Sequence, residues 1–373
     1  MQLRVGFLLH FIFLVESVAF AQVDVPPRGA EASLRVYADD DHVTVITPSA
    51  AVHAPLGRGF SGDFAATVDV VTAASVDVTS QASGHAFTEH RYEGDAGVRY
   101  AAGQHVALGL RMVGSIESDY QSLRPGASLS LDLRDHTTFI DAEYTAIIDV
   151  VGRAGDPLFA RDRDGHRLVL SLSQVIGPRT IVDLVLDGER LTGYQSNPYR
   201  FVPIYGADGG GVLYSLDEKT PDERLRGAAL IRLRQAFGHR HRFFVHADYR
   251  FYGDDWRVMS HTASARGIVP LLDGRLTLSA EVRGYLQNAA WFYREQYVDN
   301  GSGAPGWRTR DRALGRVRSL SAGSVADFTL FELFGQRPHA VLGVDLIQFW
   351  WLDYLPQSER RALLVNASVV VPF

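Results

Sequence analysis

Hydrophobic and polar positions alternate along much of this 373-residue chain, and the pattern is clearest at its C-terminal end. Counting back from Phe373, every second residue is apolar as far as Leu363, whereas the intervening positions include Ser368 and Asn366. Alternation with a period of two residues indicates a strand with one apolar face. An apolar strand face closed by a C-terminal aromatic residue is typical of the final strand of an outer-membrane β-barrel.

The same alternation recurs in interior segments. In residues 276–287 the even positions are apolar or glycine, and the odd positions include Thr277, Ser279, Glu281 and Arg283. A helix would scatter these residues around its circumference, whereas a strand separates them onto two faces. Similar alternation is present in residues 140–146, 182–187, 229–234 and 243–250.

Short and longer connections alternate between the predicted strands. Short turns are expected near residues 103–104, 134–136, 177–178, 238–239, 273–274 and 335–338. Longer polar links are expected at residues 115–122, 152–165, 192–223, 253–258 and 293–311. Barrels of the outer membrane have short periplasmic turns and longer surface loops. The sequence therefore predicts an all-β fold, a transmembrane antiparallel barrel of about sixteen strands (about 14–18), with both termini on the periplasmic side.

The N-terminus resembles an export signal. An apolar run over residues 5–15 precedes Ala19-Phe20-Ala21, which fits a signal-peptidase site. The run is shorter than the roughly 20 residues that a spanning helix needs. We therefore expect a cleaved signal peptide at 1–21, a short periplasmic segment at 22–31, and one barrel at 32–373 in the bacterial outer membrane.

Composition removes several classes of function. The chain has no cysteine, so disulfides and thiolate metal sites are excluded. Its formal net charge of −6 argues against a nucleic-acid partner. No motif calls for a cofactor or a metal ion. The expected partners are outer-membrane lipid, lipopolysaccharide and the barrel-assembly machinery, with small polar solutes as possible cargo.

Four motifs in order resemble a known family: residues 69–75 (DVVTAAS), 193–200 (GYQSNPYR), 254–256 with 260–262 (DDW, SHT), and 287–293 (QNAAWFY). Together they are similar to the bacterial barrels grouped as domain-of-unknown-function family 3570. The resemblance extends over nearly the whole mature chain and implies an outer-membrane barrel. It supplies no catalytic residues.

The short motifs that could form a catalytic or metal-binding site give weak evidence for one. Ser260 and His261 are adjacent, and adjacent strand residues point to opposite faces, so the pair is not expected to act as nucleophile and base. Asp162 and Asp164 resemble part of a calcium loop, but Ser173 stands where its last carboxylate is needed. We therefore expect a protein that is not an enzyme. A site assembled from several strands is the alternative.

Aromatic and acidic residues cluster near the predicted surface loops. Asp254, Asp255 and Trp256 form an acidic motif that we expect in a solvated surface loop. Six aromatic residues are expected to form an interfacial girdle, because amphipathic rings favour the headgroup region: Trp291, Phe292, Tyr293, Trp350, Trp351 and Tyr354.

The predicted inward faces carry charges of both signs. The candidate lumen-lining residues are Asp141, Glu143, Asp183, Asp187, Arg232, Arg234, His246, Asp248, Arg250, Glu281 and Arg283. They could line a water-filled channel or pair across the interior and plug it. Arg232 and Arg234 lie on the strand before His246, Asp248 and Arg250, so arginine–carboxylate pairs are expected there. The long link at 192–223 is the best candidate for a constriction. The sequence thus favours a passive or semi-selective pore for small polar solutes, with a plugged barrel acting as a surface scaffold as the alternative.

Overall fold

The computed structural model describes residues 28–73, 87–207, 211–238, 242–299, 301, 306–332 and 335–373. Sixteen strands form a closed barrel in which chain neighbours are antiparallel neighbours. This confirms the fold class and the strand number. Nineteen strands lie in the described residues: β1 Gly29–Asp39, β2 Val43–Gly57, β3 Phe60–Ala73, β4 Phe87–Ala101, β5 Val106–Ile116, β6 Tyr120–Leu133, β7 Thr138–Gly152, β8 Ala160–Gly177, β9 Thr180–Gly193, β10 Phe201–Gly206, β11 Val212–Asp217, β12 Glu223–Phe237, β13 Phe243–Asp254, β14 Met259–Leu271, β15 Leu276–Gln287, β16 Tyr297–Asp299, β17 Val317–Thr329, β18 His339–Trp351 and β19 Glu359–Pro372.

The last strand closes the barrel on the first. β1 pairs antiparallel with β19, with Val36 opposite Val365, and the Phe373 amide donates to the Arg28 carbonyl at 3.2 Å. Both ends of the described chain therefore lie at one end of the barrel, together with the short turns. We call this the turn end, and the opposite end the loop end. The barrel begins at Gly29, three residues before the expected boundary, and the predicted signal peptide at 1–21 lies outside the described residues.

The outer face of the wall is apolar and exposed. Leu278 and Val282 on β15 are 41% and 55% exposed, and Leu186 and Ile231 on neighbouring parts of the wall are similar. The residues between them point inward and are mostly polar or charged. An apolar band around the outside of a closed barrel is the surface that lipid covers. No helix in the described part of the chain is long and apolar enough to cross a membrane.

Several predicted connections are shorter than expected. The links at 117–119 and 255–258 have three and four residues, because the flanking strands extend further toward the loop end. β8 begins at Ala160, so Asp162 and Asp164 lie in extended strand, which is not the conformation of a calcium-binding loop. β17 runs without a break from Val317 to Thr329, through Gly323.

The two longest links, 194–222 and 288–316, are joined into one structure at the loop end. β10 pairs antiparallel with β11 and parallel with β16, which gives a three-stranded sheet outside the barrel wall. A bridge between Lys219 and Arg308 connects the same two links. We call the described residues of these two links the cap.

Candidate functional site

The predicted lumen residues lie on the inward faces of β7, β9, β12, β13 and β15. The alternation along each strand places these residues on the inner face and the apolar residues between them on the outer face. Asp183 and Arg234 lie toward the turn end, whereas Asp187 and Arg283 lie nearer the middle of their strands. All eleven residues therefore share the interior of one barrel, which is the geometry that lining a lumen requires.

The inward-pointing charged side chains form ion pairs with side chains on neighbouring strands. Arg232 and Asp248 are directly opposite on β12 and β13 and bond at 2.8 Å, as strand order had suggested. Arg234 bonds instead to Asp183 on β9 at 2.6 Å. Other pairs also join neighbouring strands: Arg91–Asp69, Arg111–Asp95, Arg163–Asp149, Arg167–Asp187, Arg226–Glu189 and Arg266–Glu281. Since neighbouring strands are about 4.8 Å apart, such pairs neutralise charge without bridging the interior.

The exposure of inward arginine side chains differs between the middle and the loop end of the barrel. Arg111 and Arg266, in the middle part, are 58% and 39% exposed. Arg224 and Arg360, at the loop end, are each 5% exposed. Water therefore reaches the charged wall in the middle of the barrel, and the loop end is covered.

One sector of the inner wall is aromatic and apolar at the loop end. Tyr37, Ile347, Phe349, Trp351 and Leu364 point inward from β1, β18 and β19 and are buried together. The guanidinium groups of Arg312 and Arg360 lie over the Trp351 ring, each 4.8 Å from a ring centroid. Sequence analysis missed this cluster, although the apolar residues on both faces of residues 344–351 are a signal of a strand covered on both sides.

A small cavity lies beside this aromatic cluster. It measures about 80 Å³ and is lined by Arg224, Tyr252, Tyr285, Phe349 and Trp351 among others. A cavity that holds benzene measures about 150 Å³. The space is therefore too small for a ligand of that size.

The cap reaches across part of the barrel opening. Tyr199, in the link after β9, donates its hydroxyl to Asp119, which lies four strands away in the link after β5. On the other side, Arg312 donates to Asp41 at 2.9 Å, between β1 and β2. Each contact joins a cap residue to a distant part of the rim. The cap is therefore anchored to both sides of the opening, including through the 192–223 link that the sequence identified as a constriction.

A buried carboxylate holds the two halves of the cap together. Glu218 accepts hydrogen bonds from the Asn197 amide and the Thr309 hydroxyl, both at 2.6 Å, and pairs with Arg200 at 3.3 Å. Arg200 also pairs with Asp311 at 2.8 Å. Burial raises the pKa of Glu218, and Arg200 opposes that rise. Because Glu218 and Thr309 come from different links, this contact joins the two links of the cap.

Only Asp255 of the Asp254-Asp255-Trp256 motif is exposed, so the expected solvated loop is wrong for Asp254 and Trp256. The Asp254 carboxylate is fully buried and pairs with Arg224, and Trp256 is 2% exposed. The Trp256 indole donates to the Glu223 carbonyl at 3.0 Å, and Asp255 accepts from the Leu225 amide. The motif anchors β12 to β13 at the loop end, because its side chains satisfy backbone groups that the strand ladder leaves open.

The expected aromatic girdle is also wrong for most of its members. Phe292, Tyr293, Trp351 and Tyr354 are each at most 4% exposed and pack in the interior of the loop end: they belong to the buried clusters around Trp256 and Phe349. Trp291 and Trp350 remain accessible, Trp291 at 43%. Residue type alone placed these rings at the membrane interface. The direction in which each side chain points depends instead on strand register and on the cap.

Ser260 and His261 do not form a catalytic pair. Ser260 is 1% exposed on the inward face of β14, whereas His261 points outward.

Three acidic residues lie close together at the loop end: Glu89, Glu117 and Asp119 bring carboxylate oxygens within 4.8 Å of one another. Burial raises the pKa of Glu117 to about 7, and Glu89 adds to that rise.

The fold and the inward charges define a bacterial outer-membrane-type β-barrel. The model of the family described as "Protein of unknown function (DUF3570)" matches residues 153–333, which confirms the suspected resemblance over that part of the chain. Three of the four sequence motifs lie inside this segment, and the motif at 69–75 lies before it. No curated protein matches the chain in sequence.

Solved bacterial barrels are similar to this chain in overall shape. A structure titled "Bacterial polysaccharide outer membrane secretin" has 10% identity and a TM-score of 0.46, covering 92% of this chain and 98% of its own. OccK5 (OpdH) from Pseudomonas aeruginosa has 9% identity and a TM-score of 0.44, with 93% and 98% covered. A loop-deletion mutant of OmpT from Vibrio cholerae has 9% identity and a TM-score of 0.43, with 93% and 100% covered. At these values the likenesses carry no argument about function.

Proposed function

We propose that this protein is an outer-membrane pore through which small polar solutes diffuse, with the cap limiting passage at the loop end. The observation that carries the proposal is the arrangement of inward charge. Arginine and carboxylate side chains pair with neighbouring strands, and Arg111 and Arg266 remain accessible to water. A barrel of about sixteen strands is wide enough for an aqueous channel when its side chains stay along the wall.

The lumen favours polar solutes of small size. Its charged wall carries both signs in close pairs, so a diffusing ion meets alternating local fields rather than one uniform ring. The cap narrows one end, because Tyr199 and Arg312 anchor it to opposite parts of the rim. In the proposed orientation the loop end faces the exterior, as long loops do in such barrels. Passage therefore depends on how far the cap opens.

Single-channel recording in a planar bilayer tests this function. The mature protein should give discrete, reproducible openings with measurable ion selectivity. The double variant Tyr199→Phe with Arg312→Gln removes the Tyr199–Asp119 and Arg312–Asp41 contacts to the rim and should raise conductance or open time. Tyr214→Phe is the matched control, because its hydroxyl bonds Asp299 within the cap and not the rim.

A closed barrel that serves as a surface scaffold is the second candidate. The buried bonds of Glu218 favour it, because a cap held by that many polar contacts resists opening. A wild-type protein and a double variant that are both folded and electrically silent would support the scaffold and overturn the pore. In neither case does the proposal require a catalytic residue.

A further inference from the structure

A groove of about 710 Å³ crosses the outer wall near the loop end, from β13 to β18. It is separate from the lumen and is lined mainly by apolar surface. Tyr249 borders one side, Leu286 and Trp350 the other, and Ala263 and Gly284 lie between them. The surrounding wall is the apolar face that lipid covers. The natural occupant of such a groove is therefore an acyl chain.

The groove exists because two small residues are neighbours on adjacent strands. Ala263 is directly opposite Gly284, with Tyr249 and Leu320 completing that level of the wall. A Cβ placed on Gly284 would meet nothing within 4 Å. A side chain at Gly284 therefore has room for its first carbon, and a larger side chain there would extend into the groove.

Cationic and hydrogen-bonding groups lie at the rim of the groove, one level nearer the loop end. His261, Leu286, Arg318 and Trp350 are consecutive partners across β14, β15, β17 and β18. Arg318 is exposed on the outer face, and it belongs to no ion pair among the residues that the structure describes. His261 Nδ1 lies 2.7 Å from the Tyr249 hydroxyl, so Nε2 is the ring nitrogen that is not bonded to Tyr249.

We propose that this groove binds an anionic, phosphate-bearing membrane lipid, with an acyl chain over Ala263 and Gly284 and the phosphate at Arg318 and His261. The proposal rests on membrane insertion of the barrel and is independent of pore activity. Charge complementarity supports it, because an accessible guanidinium at headgroup depth attracts anionic lipid. Tyr249 holds the His261 ring in place, and Trp350 lies where amphipathic rings favour the interface.

A second Tyr–His pair occurs on the outer wall formed by β7, β8 and β9, but Leu168 stands there where Ala263 lies in the groove. The Tyr144 hydroxyl lies 2.7 Å from His166 Nδ1, and the outward neighbours on β9 are Gly188 and Arg190. There Arg190 lies 3.7 Å from Glu223, so a carboxylate already competes for the cation. With Leu168 in place of a small residue and a carboxylate beside Arg190, this second position is expected to select anionic lipid less strongly, and it serves as an internal comparison.

Quenching of Trp350 by brominated lipid tests the proposal. The protein is refolded into phosphatidylcholine vesicles that contain acyl-brominated phosphatidylglycerol or, at the same mole fraction, acyl-brominated phosphatidylcholine. The signal of Trp350 is the difference between the wild type and Trp350→Phe. We expect the anionic lipid to be favoured at this position by about five-fold, which is the factor that one basic residue contributes near an anionic surface.

Two variants and two controls define the outcome. Arg318→Gln should remove most of the preference, and Gly284→Leu should reduce quenching by both lipids. Gly267→Leu, an outward glycine nearer the turn end where an added Cβ also meets nothing within 4 Å, should leave both unchanged. Arg190→Gln should not change the Trp350 signal. Heat-modifiable migration on gels shows that each variant is folded.

The proposal is overturned if the two brominated lipids quench Trp350 equally in the wild type. It is also overturned if the preference survives in a folded Arg318→Gln protein. Neither result would affect the conductance test of pore function, because the groove and the lumen lie on opposite faces of the wall.

Discussion

Replacing Val282 with arginine tests which face of the wall meets lipid. Val282 is 55% exposed on the outer face and is the seventh of the twelve residues of β15. Its neighbours on the adjacent strands are Ala265 and Ala322, which offer no charge partner. An arginine near the middle of the bilayer costs about 2–4 kcal/mol in a barrel of this kind.

The position of a residue along the strand sets the size of this cost. Leu278 lies on the same face four residues nearer the turn end, which is roughly 10 Å along the bilayer normal for a tilted strand. Arginine there lies close to the interface and should cost about 0–1 kcal/mol. Ser279 points inward, near Glu281 on its own strand and Asp327 on β17. Ser279→Arg should change stability by about 0.5 kcal/mol or less.

Reversible unfolding from lipid vesicles in denaturant measures these differences by linear extrapolation. The expected order of cost is Val282→Arg first, then Leu278→Arg, then Ser279→Arg. Equal costs on the two faces, or a larger cost for Ser279→Arg than for Val282→Arg, would refute the assignment of the outer face to lipid.

Three further predictions concern assembly, pH and selectivity. Deleting Phe373 should lower the yield of heat-modifiable barrel in the outer-membrane fraction, because β19 closes on β1; an unchanged yield would contradict this. Burial raises the pKa of Glu117 to about 7, so the folded protein binds more protons than the unfolded chain between about pH 4.5 and 7. Stability should therefore fall as pH rises through that window, and Glu117→Gln should flatten the dependence in vesicle unfolding experiments; an unchanged slope would count against it. Arg232→Gln leaves the Asp248 carboxylate without its 2.8 Å partner, so reversal potentials should shift toward cation selectivity; a shift toward anions would exclude the proposed lumen position.

The sequence alone determined the wall of this barrel. Alternation is a local property, because successive strand residues point to opposite faces whatever lies elsewhere in the chain. It was therefore enough to place Leu278 outside and Glu281 inside, to count sixteen strands, and to identify the closing strand at Phe373.

Charge pairing was only partly accessible from the sequence. Strand order suggested that Arg232 could meet Asp248, since consecutive strands are neighbours. It did not show that Arg234 would turn to Asp183 on the other side, because that choice depends on register across two ladders. Register also decided that Ala263 and Gly284 meet and open a groove.

Only the tertiary structure decided what covers the loop end. Arg312 and Asp41 are 271 residues apart in the chain, and Glu218 and Thr309 are 91 apart. Periodicity assigns a side chain to a face but does not reveal which loop lies against that face. For this reason Trp351 and Phe292 were expected at the interface, but both are buried. Trp351 lies under Arg312 of the cap, and Phe292 is itself a cap residue that packs against Trp256. These contacts exist only once the barrel has closed and its links have folded over it.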